Sequence, residues 1–526
     1  MLTDFVDYQC TSMELYNLGV WDVIWAISVA ALGGSICRAW LTKGAYKGNP
    51  TNWPLLGMLP GLLLNLHRVF DWIASVLAHN GGSFSFRGPW FSNMNLYITA
   101  DPRNVEYALR TRFDNYPKGQ DFSDIFHDLL GHGIFNADGQ LWKTQRKITS
   151  LQLNTRTCKQ STDQTVNRTV EDKLLPTLKY FCDAGRYFDL QDMMLRFTFD
   201  TICMVAFGVD TGCVCPTLPV VPFSKAFEDA LECTMLRFFV PRKWWRVRKW
   251  LHLGKEQGMP EALKGVNKFL EKEIVARREK LRHNFGLSVG GKSDLMSYFL
   301  QMDGDAPNDD KILKDLILNF LLAGRDTSAL ALSWFFWLVA SHPSVEKKVI
   351  EEVQHVMGGC EMKGKPVPTR AEVSQMHYLH AALTESLRLY PSVPIDIKEI
   401  LEDDILPDGA HVRKNDKLVY AIHAMGRMES IWGSDCCSFR PERWLKPDDG
   451  TFTDAHVPPF HYVVFNAGPR NCLGKDIAYL MMKTVASTLL HHFKITLVPG
   501  QKIEHKLSVT LYMKNGLLVR LEPRTP

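Results

Sequence analysis

The stretch Phe465-Asn466-Ala467-Gly468-Pro469-Arg470-Asn471-Cys472-Leu473-Gly474 constrains this chain more than any other. It stands directly ahead of an apolar helical period from about Lys475 to Phe493, so its cysteine sits at a helix start. Free backbone amides and the positive end of the helix dipole stabilise a thiolate there. Gly468 and Gly474 leave the backbone room to lie flat against something broad. Arg470, two residues before the sulfur, supplies a fixed cation for an anionic group of that object. A haem whose iron is bound by sulfur and whose edge carries carboxylates meets each requirement. A lone Cys-x-Gly would read as a buried cysteine in a turn; Phe465, Gly468, Arg470, Cys472 and Gly474 in register point to the ligand.

The chain has 526 residues, beyond the roughly 250 to 300 at which single cores usually stop growing, which asks for several domains or one large helical fold. At 46% hydrophobic and 22% charged residues it is neither disordered nor a multi-span membrane protein. A net charge of +4 is too small for a general nucleic-acid binder. Twelve cysteines contain no CxxC pair, and neither a disulfide framework nor a zinc site is expected.

Leu18 to Cys37 is about the 20 residues that cross a bilayer, with Asp22 as an imperfection. No Lys or Arg precedes Arg38, whereas Arg38, Lys43 and Lys47 follow it, so the long carboxyl-terminal part is expected in the cytosol. The expected organisation is a lumenal tail at 1–17, an anchor helix at 18–37, a proline-rich hinge at 38–62 and a catalytic domain at 63–526. Pro50, Pro54 and Pro60 predict an extended, non-helical hinge. Strands are expected near Ser83–Phe86, Leu96–Thr99, Lys417–Ala421 and Ser508–Met513, and helices elsewhere, giving a mainly α fold with a small β-sheet region.

Lys311 to Ser341 forms one long helical period, stopped by His342-Pro343, with Ala323-Gly324-Arg325-Asp326-Thr327-Ser328 at its middle. Helical spacing predicts Ala323, Asp326 and Thr327 on one face, where a small residue leaves room and a hydroxyl beside an acid can pass protons. Glu385 and Arg388 stand three apart on a helix, with Arg443 in FRPERW downstream, and Trp142 and Arg146 stand one turn apart. In PRKWWRVRKW, at 241–250, five cations interleave with Trp244, Trp245 and Trp250. On a nearly neutral chain with an anchor this suits a membrane surface better than nucleic acid.

FNAGPRNCLG matches at every fixed position the cysteine loop of the cytochrome P-450 family, and the chain resembles that family over roughly residues 50 to 520. The resemblance implies the family fold and haem b, with iron bound by Cys472 and the cofactor flanked by Phe465, Gly468, Gly474, Ala323 and Gly324. It implies that Trp142, Arg146 and Arg470 hold haem carboxylates, and that Thr327 and Asp326 manage protons for bound O2. Glu385, Arg388 and Arg443 would form a buried structural network. No fused flavin domain is recognisable, so electrons from NADPH would come through a separate NADPH–cytochrome P-450 reductase at the endoplasmic reticulum membrane.

RFTFDTICMVAFG, PSVPIDIKE, DDILPDG and MGRMESIWG resemble the plant fatty-acid ω-hydroxylase branch, implying a lipid substrate oxidised at its terminal carbon; Met481 departs from that branch. Phe320, Val393, Pro394, Ile395 and Leu511 are the candidate substrate walls. In-chain oxidation of fatty acids, oxidation of alkanes or other lipids, a haem-thiolate hydroperoxide isomerase or dehydratase, and a haem sensor remain as alternatives.

Overall fold

Helices dominate because apolar residues recur at three- and four-residue spacing through most of the chain. The computed structural model describes residues 48–90, 92–283, 310–361 and 365–524, and the chain separates into two units, Met1–Asn49 and Pro50–Pro526. In the second unit the helices that matter for the site are α1 (Leu59–Leu64), α2 (Gly119–Leu130), α3 (Gly139–Leu153), α4 (Leu190–Phe207), α5 (Pro222–Phe238), α6 (Arg242–Trp250), α7 (Asp310–Ser341), α8 (Arg370–Ser374), α9 (His377–Leu389) and α10 (Lys475–His492). The strands are β1 (Ser83–Arg87), β2 (Asn95–Thr99), β3 (Phe188–Asp189), β4 (Asp396–Glu399), β5 (Asp404–Ile405), β6 (His411–Val412), β7 (Lys417–Tyr420), β8 (Phe493–Leu497) and β9 (Leu518–Pro523).

Helix α7 spans 32 residues, about 48 Å at 1.5 Å per residue. Its carboxyl-terminal half is apolar on nearly all sides, and Ala329 to Phe336 are buried without interruption, as a helix through the centre of a core requires. It packs along α4, and Gly324 marks a close approach: a Cβ there would stand 2.6 Å from Ile202 Cδ1 on α4. The main sheet has the order β1-β2-β7-β4, parallel only between β2 and β7, where Thr99 pairs with Tyr420. A three-stranded sheet β3-β9-β8 and a two-stranded ribbon β5-β6 complete the sheets among the described residues.

Three expectations are corrected. Ser508–Met513 is not a strand; only an isolated bridge joins His505 to Met513. Its alternating side chains fit a strand, but its backbone is taken elsewhere. The Leu511 amide donates to Ser392 O at 2.9 Å, Leu511 O accepts from Trp334 Nε1 at 2.7 Å, and the Met513 amide donates to Gln191 Oε1 at 2.8 Å. Residues 50–62 belong to the folded unit, and Leu59–Leu64 is helical with Pro60 in its first turn, where the missing amide costs nothing. The Met58 amide also bonds Arg87 O on β1. Third, α6 is only partly a surface feature. Trp245 is buried, with the Arg237 guanidinium 4.9 Å above its ring. Arg242 pairs with Asp121 at 2.6 Å, Arg246 with Asp124 at 2.6 Å and Lys249 with Asp128 at 2.7 Å, all along α2. Trp244 and Trp250 remain exposed. The expected anchor at 18–37 lies outside the described residues, among which no helix is long and apolar enough to cross a membrane.

Candidate active site

The loop before α10 closes on itself: the Cys472 amide donates to Phe465 O at 2.8 Å. Cys472 is exposed, yet desolvation is the largest influence on its thiol and pushes it up, while the Gly474 amide and the Arg146 and Lys475 charges pull it back. A group both accessible and crowded by protein faces an enclosed space rather than bulk water. Gly468 has φ +65°, and a Cβ there would overlap the carbonyl oxygen of Leu109 and stand 3.0 Å from its carbonyl carbon. The broad object reserved by this glycine is therefore the backbone of residues 107–111.

Around the loop the sequence-derived cations converge. Trp142 is buried on α3, with Arg470 4.4 Å and Arg146 5.9 Å from its ring centroid. Arg146 donates to Asn471 Oδ1, and Arg470 donates to Ala137 O at 2.9 Å and to the Asp138 carboxylate. Burial pushes the guanidinium pKa of Arg146 and of Arg470 down.

Two further cations were not anticipated. In β4, Asp396 and Lys398 are buried on the same face. Lys118 pairs with Asp396, and Lys398 lies 3.3 Å from its other oxygen. Tyr420 donates to Asp396 at 2.5 Å, and Asn466 of the cysteine loop at 3.4 Å. Asp396 is held well below the usual carboxylate range because Lys118 and Lys398 outweigh its burial. Lys398, the more distant partner, is pushed down to about 7 by burial, with Lys118 and Arg470 adding repulsion. The signal was present in Asp-Ile-Lys-Glu: two charges two residues apart in a strand share a face, and here that face is the inner one.

Four cations, Arg146, Arg470, Lys118 and Lys398, thus face two carboxylates, Asp138 and Asp396, and the buried Arg470 Nε has no hydrogen-bond partner among the described residues. An under-neutralised cationic pocket beside an accessible cysteine sulfur fits a haem with two carboxylates. Cys472 would ligate the iron, and Arg146 and Arg470 would meet the acidic edge with Lys398 behind them.

On α7, Phe320, Ala323, Gly324 and Thr327 are partly open while most neighbouring positions are buried. Their spacing of three, four and seven makes one stripe along the helix. Asp326 does not share it, contrary to expectation. It is completely buried and accepts from Arg325 Nη1 at 2.9 Å, and Arg325 continues to Glu228 at 2.7 Å and Ser224 at 2.5 Å on α5. Burial raises the Asp326 pKa, opposed by the Arg325 charge and by Tyr512, and its Oδ2 has no hydrogen-bond partner among the described residues. Thr327 Oγ1 donates back to Ala323 O at 2.5 Å.

The segment after α9 bridges the two halves. Ser392 Oγ donates to Thr327 O at 2.7 Å, and Asp396 is tied to the cysteine loop through Asn466. Ser392 and Asp396 are four positions apart, so their Cα atoms stand at most about 14 Å apart. Val393 and Ile395 within that span are partly open, and Pro394 is buried. Leu511 is completely buried in the main core and offers no open wall. Glu385, Arg388 and Arg443 come together as a buried network: Arg388 binds both Glu385 oxygens at 2.7 Å, Arg443 Nε lies 3.4 Å away, and Trp444 Nε1 donates at 2.8 Å. Arg388 also holds the carbonyls of Cys436 at 2.6 Å and Ser438 at 3.0 Å, fixing the loop at 436–438 against α9.

The family model for Cytochrome P450 matches residues 48–520. The chain is 46% identical to Cytochrome P450 86B1 of Arabidopsis thaliana, over 92% of this chain and 87% of that protein. It is 38% identical to Cytochrome P450 94A2 of Vicia sativa over 91% of each chain, and 36% identical to Alkane hydroxylase MAH1 of Arabidopsis thaliana over 90% of this chain and 93% of that one. With the cysteine loop, the cationic pocket and the Glu385 network in place, the chain belongs to the cytochrome P450 family, whose members hold haem iron through a cysteine thiolate and use dioxygen and a redox partner's electrons.

Proposed function

We propose that this protein is a membrane-anchored monooxygenase of the endoplasmic reticulum that hydroxylates the terminal carbon of long-chain fatty acids. It does so with haem b and with electrons passed from NADPH by NADPH–cytochrome P450 reductase. The observation that supports the reading is the stiff segment Val393-Pro394-Ile395, tied through Ser392 to the carbonyl of Thr327, a residue of the partly open stripe that also holds Phe320 and Ala323. A terminal methyl is less reactive than the methylenes beside it, so selectivity for it is positional and needs a narrow, rigid approach. Two β-branched side chains around a φ-fixed proline supply stiffness.

Bound haem supplies activation of dioxygen and insertion of one oxygen atom into a C–H bond. The protein's own part is orientation and proton supply. Thr327 Oγ1 on the open stripe is the proton-donating hydroxyl. Asp326, its carboxyl pKa raised by burial against the opposing Arg325 charge and Tyr512 hydroxyl, can hold a proton. Arg325 keeps that carboxyl oriented. Similarity to an alkane hydroxylase supports a second reading, hydroxylation of unactivated alkanes.

The test is incubation with reductase, NADPH and saturated C12 to C22 acids or alkanes, with the hydroxyl located by mass spectrometry. Terminal hydroxy acids are expected. Predominantly in-chain products, or turnover confined to alkanes, sterols or terpenoids, would overturn the substrate assignment.

A further inference from the structure

A second cavity, of about 310 Å³, lies between α8, α9 and the first turns of α10, and none of the haem-pocket cations or open-stripe residues lines it. Its volume is at the lower end of small-ligand sites, roughly 300 to 1,000 Å³. At its mouth are the exposed Arg370, Asp454, Lys475 and Asp476, of mixed sign and open to screening water. The inner end is different. Lys483 is 5% exposed, and its ammonium makes no hydrogen bond or ion pair among the described residues. The acid nearest in influence, Glu352, has both carboxylate oxygens engaged by the amides of Tyr378 and Leu379, at 2.7 and 2.8 Å.

An ammonium in that position costs free energy unless something pairs with it. Around it the walls are aromatic. The His380 ring stacks on Tyr479 at 4.3 Å and lies 3.9 Å from Phe452, and Tyr462 lines the same space. Burial and the Lys483 and Lys475 charges hold His380 neutral, with a pKa of about 3. Its ring nitrogens have no partner among the described residues, which leaves one donor and one acceptor.

We propose that this cavity is a binding site for a small aromatic carboxylate, its anionic group on Lys483 and its ring against the cavity face of the His380, Phe452 and Tyr479 cluster. One unpaired buried cation selects a single negative charge, and the aromatic walls favour a flat apolar body over a bare ion. The site adjoins the cysteine loop: the Tyr479 ring lies 5.3 Å from that of Phe465, whose carbonyl bonds the Cys472 amide.

The test is calorimetry on the haem-loaded full chain with benzoate, using benzyl alcohol, acetate and inorganic phosphate as probes that keep only the ring or only the charge. Benzoate is expected to bind saturably, at least tenfold more tightly than any of the three. Lys483→Met should weaken it at least tenfold, and it should fold because it removes an unpaired charge. Ser374→Trp, at the exposed rim on α8, should block entry without touching the interior and decides the matter if Lys483→Met yields no haem-loaded protein. Absence of benzoate binding, equal binding of acetate or phosphate, or benzoate binding that survives the variants would overturn the proposal.

Discussion

Gly468→Ala separates two explanations of the same glycine. Left-handed backbone costs an ordinary residue about 1–2 kcal/mol, and Gly468 has φ +65°. The added methyl would also overlap Leu109 O, a backbone atom that can yield only if residues 107–111 move, and overpacking of this kind costs about 1–3 kcal/mol. Gly450 provides the control. Its φ is +67°, and a Cβ there meets nothing within 4 Å, so Gly450→Ala carries the backbone cost alone. The difference is about 2 kcal/mol, roughly 30-fold in a rate or equilibrium. The assay is the half-life, at a fixed elevated temperature, of the shifted carbon monoxide band of the reduced protein, which reports thiolate ligation. Gly450→Ala is expected to shorten it by roughly 5- to 30-fold, and Gly468→Ala by about 30-fold more. Half-lives of the two variants within twofold of each other would show that the contact with Leu109 does not hold the cysteine loop.

Cys472→Ser should abolish that band, and its survival would disprove the ligand assignment. Thr327→Ala should keep haem and the substrate-induced spectrum but divert electrons into peroxide; product per NADPH equal to the unmodified enzyme counts against the hydroxyl as proton donor. Lys398 has a pKa of about 7 without haem, and haem carboxylates would raise it. Its contribution to haem affinity is then complete below about pH 7 and lost as pH rises through the raised value. Haem retention should fall from pH 7 to 9, flatten in Lys398→Met, and refute the role of Lys398 if already flat in the unmodified protein. In a chain lacking residues 1–40, Trp244→Ser with Trp250→Ser should sharply reduce vesicle binding, whereas unchanged binding would remove α6 as a membrane contact.

What could be read from the sequence was chemistry set within a few turns of backbone. Phe465 to Gly474 declares itself because a cysteine, its flanking amides and the following helix lie within one short segment, and Glu385 and Arg388 meet because i and i+3 always do on a helix. Asp326 illustrates the limit. Helical spacing put it beside Ala323 and Thr327, yet its orientation is decided by Arg325, which reaches Glu228 and Ser224 about a hundred positions earlier in the chain. Leu511 was misread as open wall for a similar reason, since Ser392 and Trp334 claim its backbone from distant elements. Lys398 stands between these cases. The alternation in Asp-Ile-Lys-Glu says that two charges share a face, but only the sheet, with Tyr420 across and Lys118 above the same carboxylate, makes that face the inside. Two cations around one buried carboxylate remain under-neutralised in the protein alone. That surplus of positive charge, supplied by segments nearly 300 residues apart, is the part of the haem site that no local motif could announce.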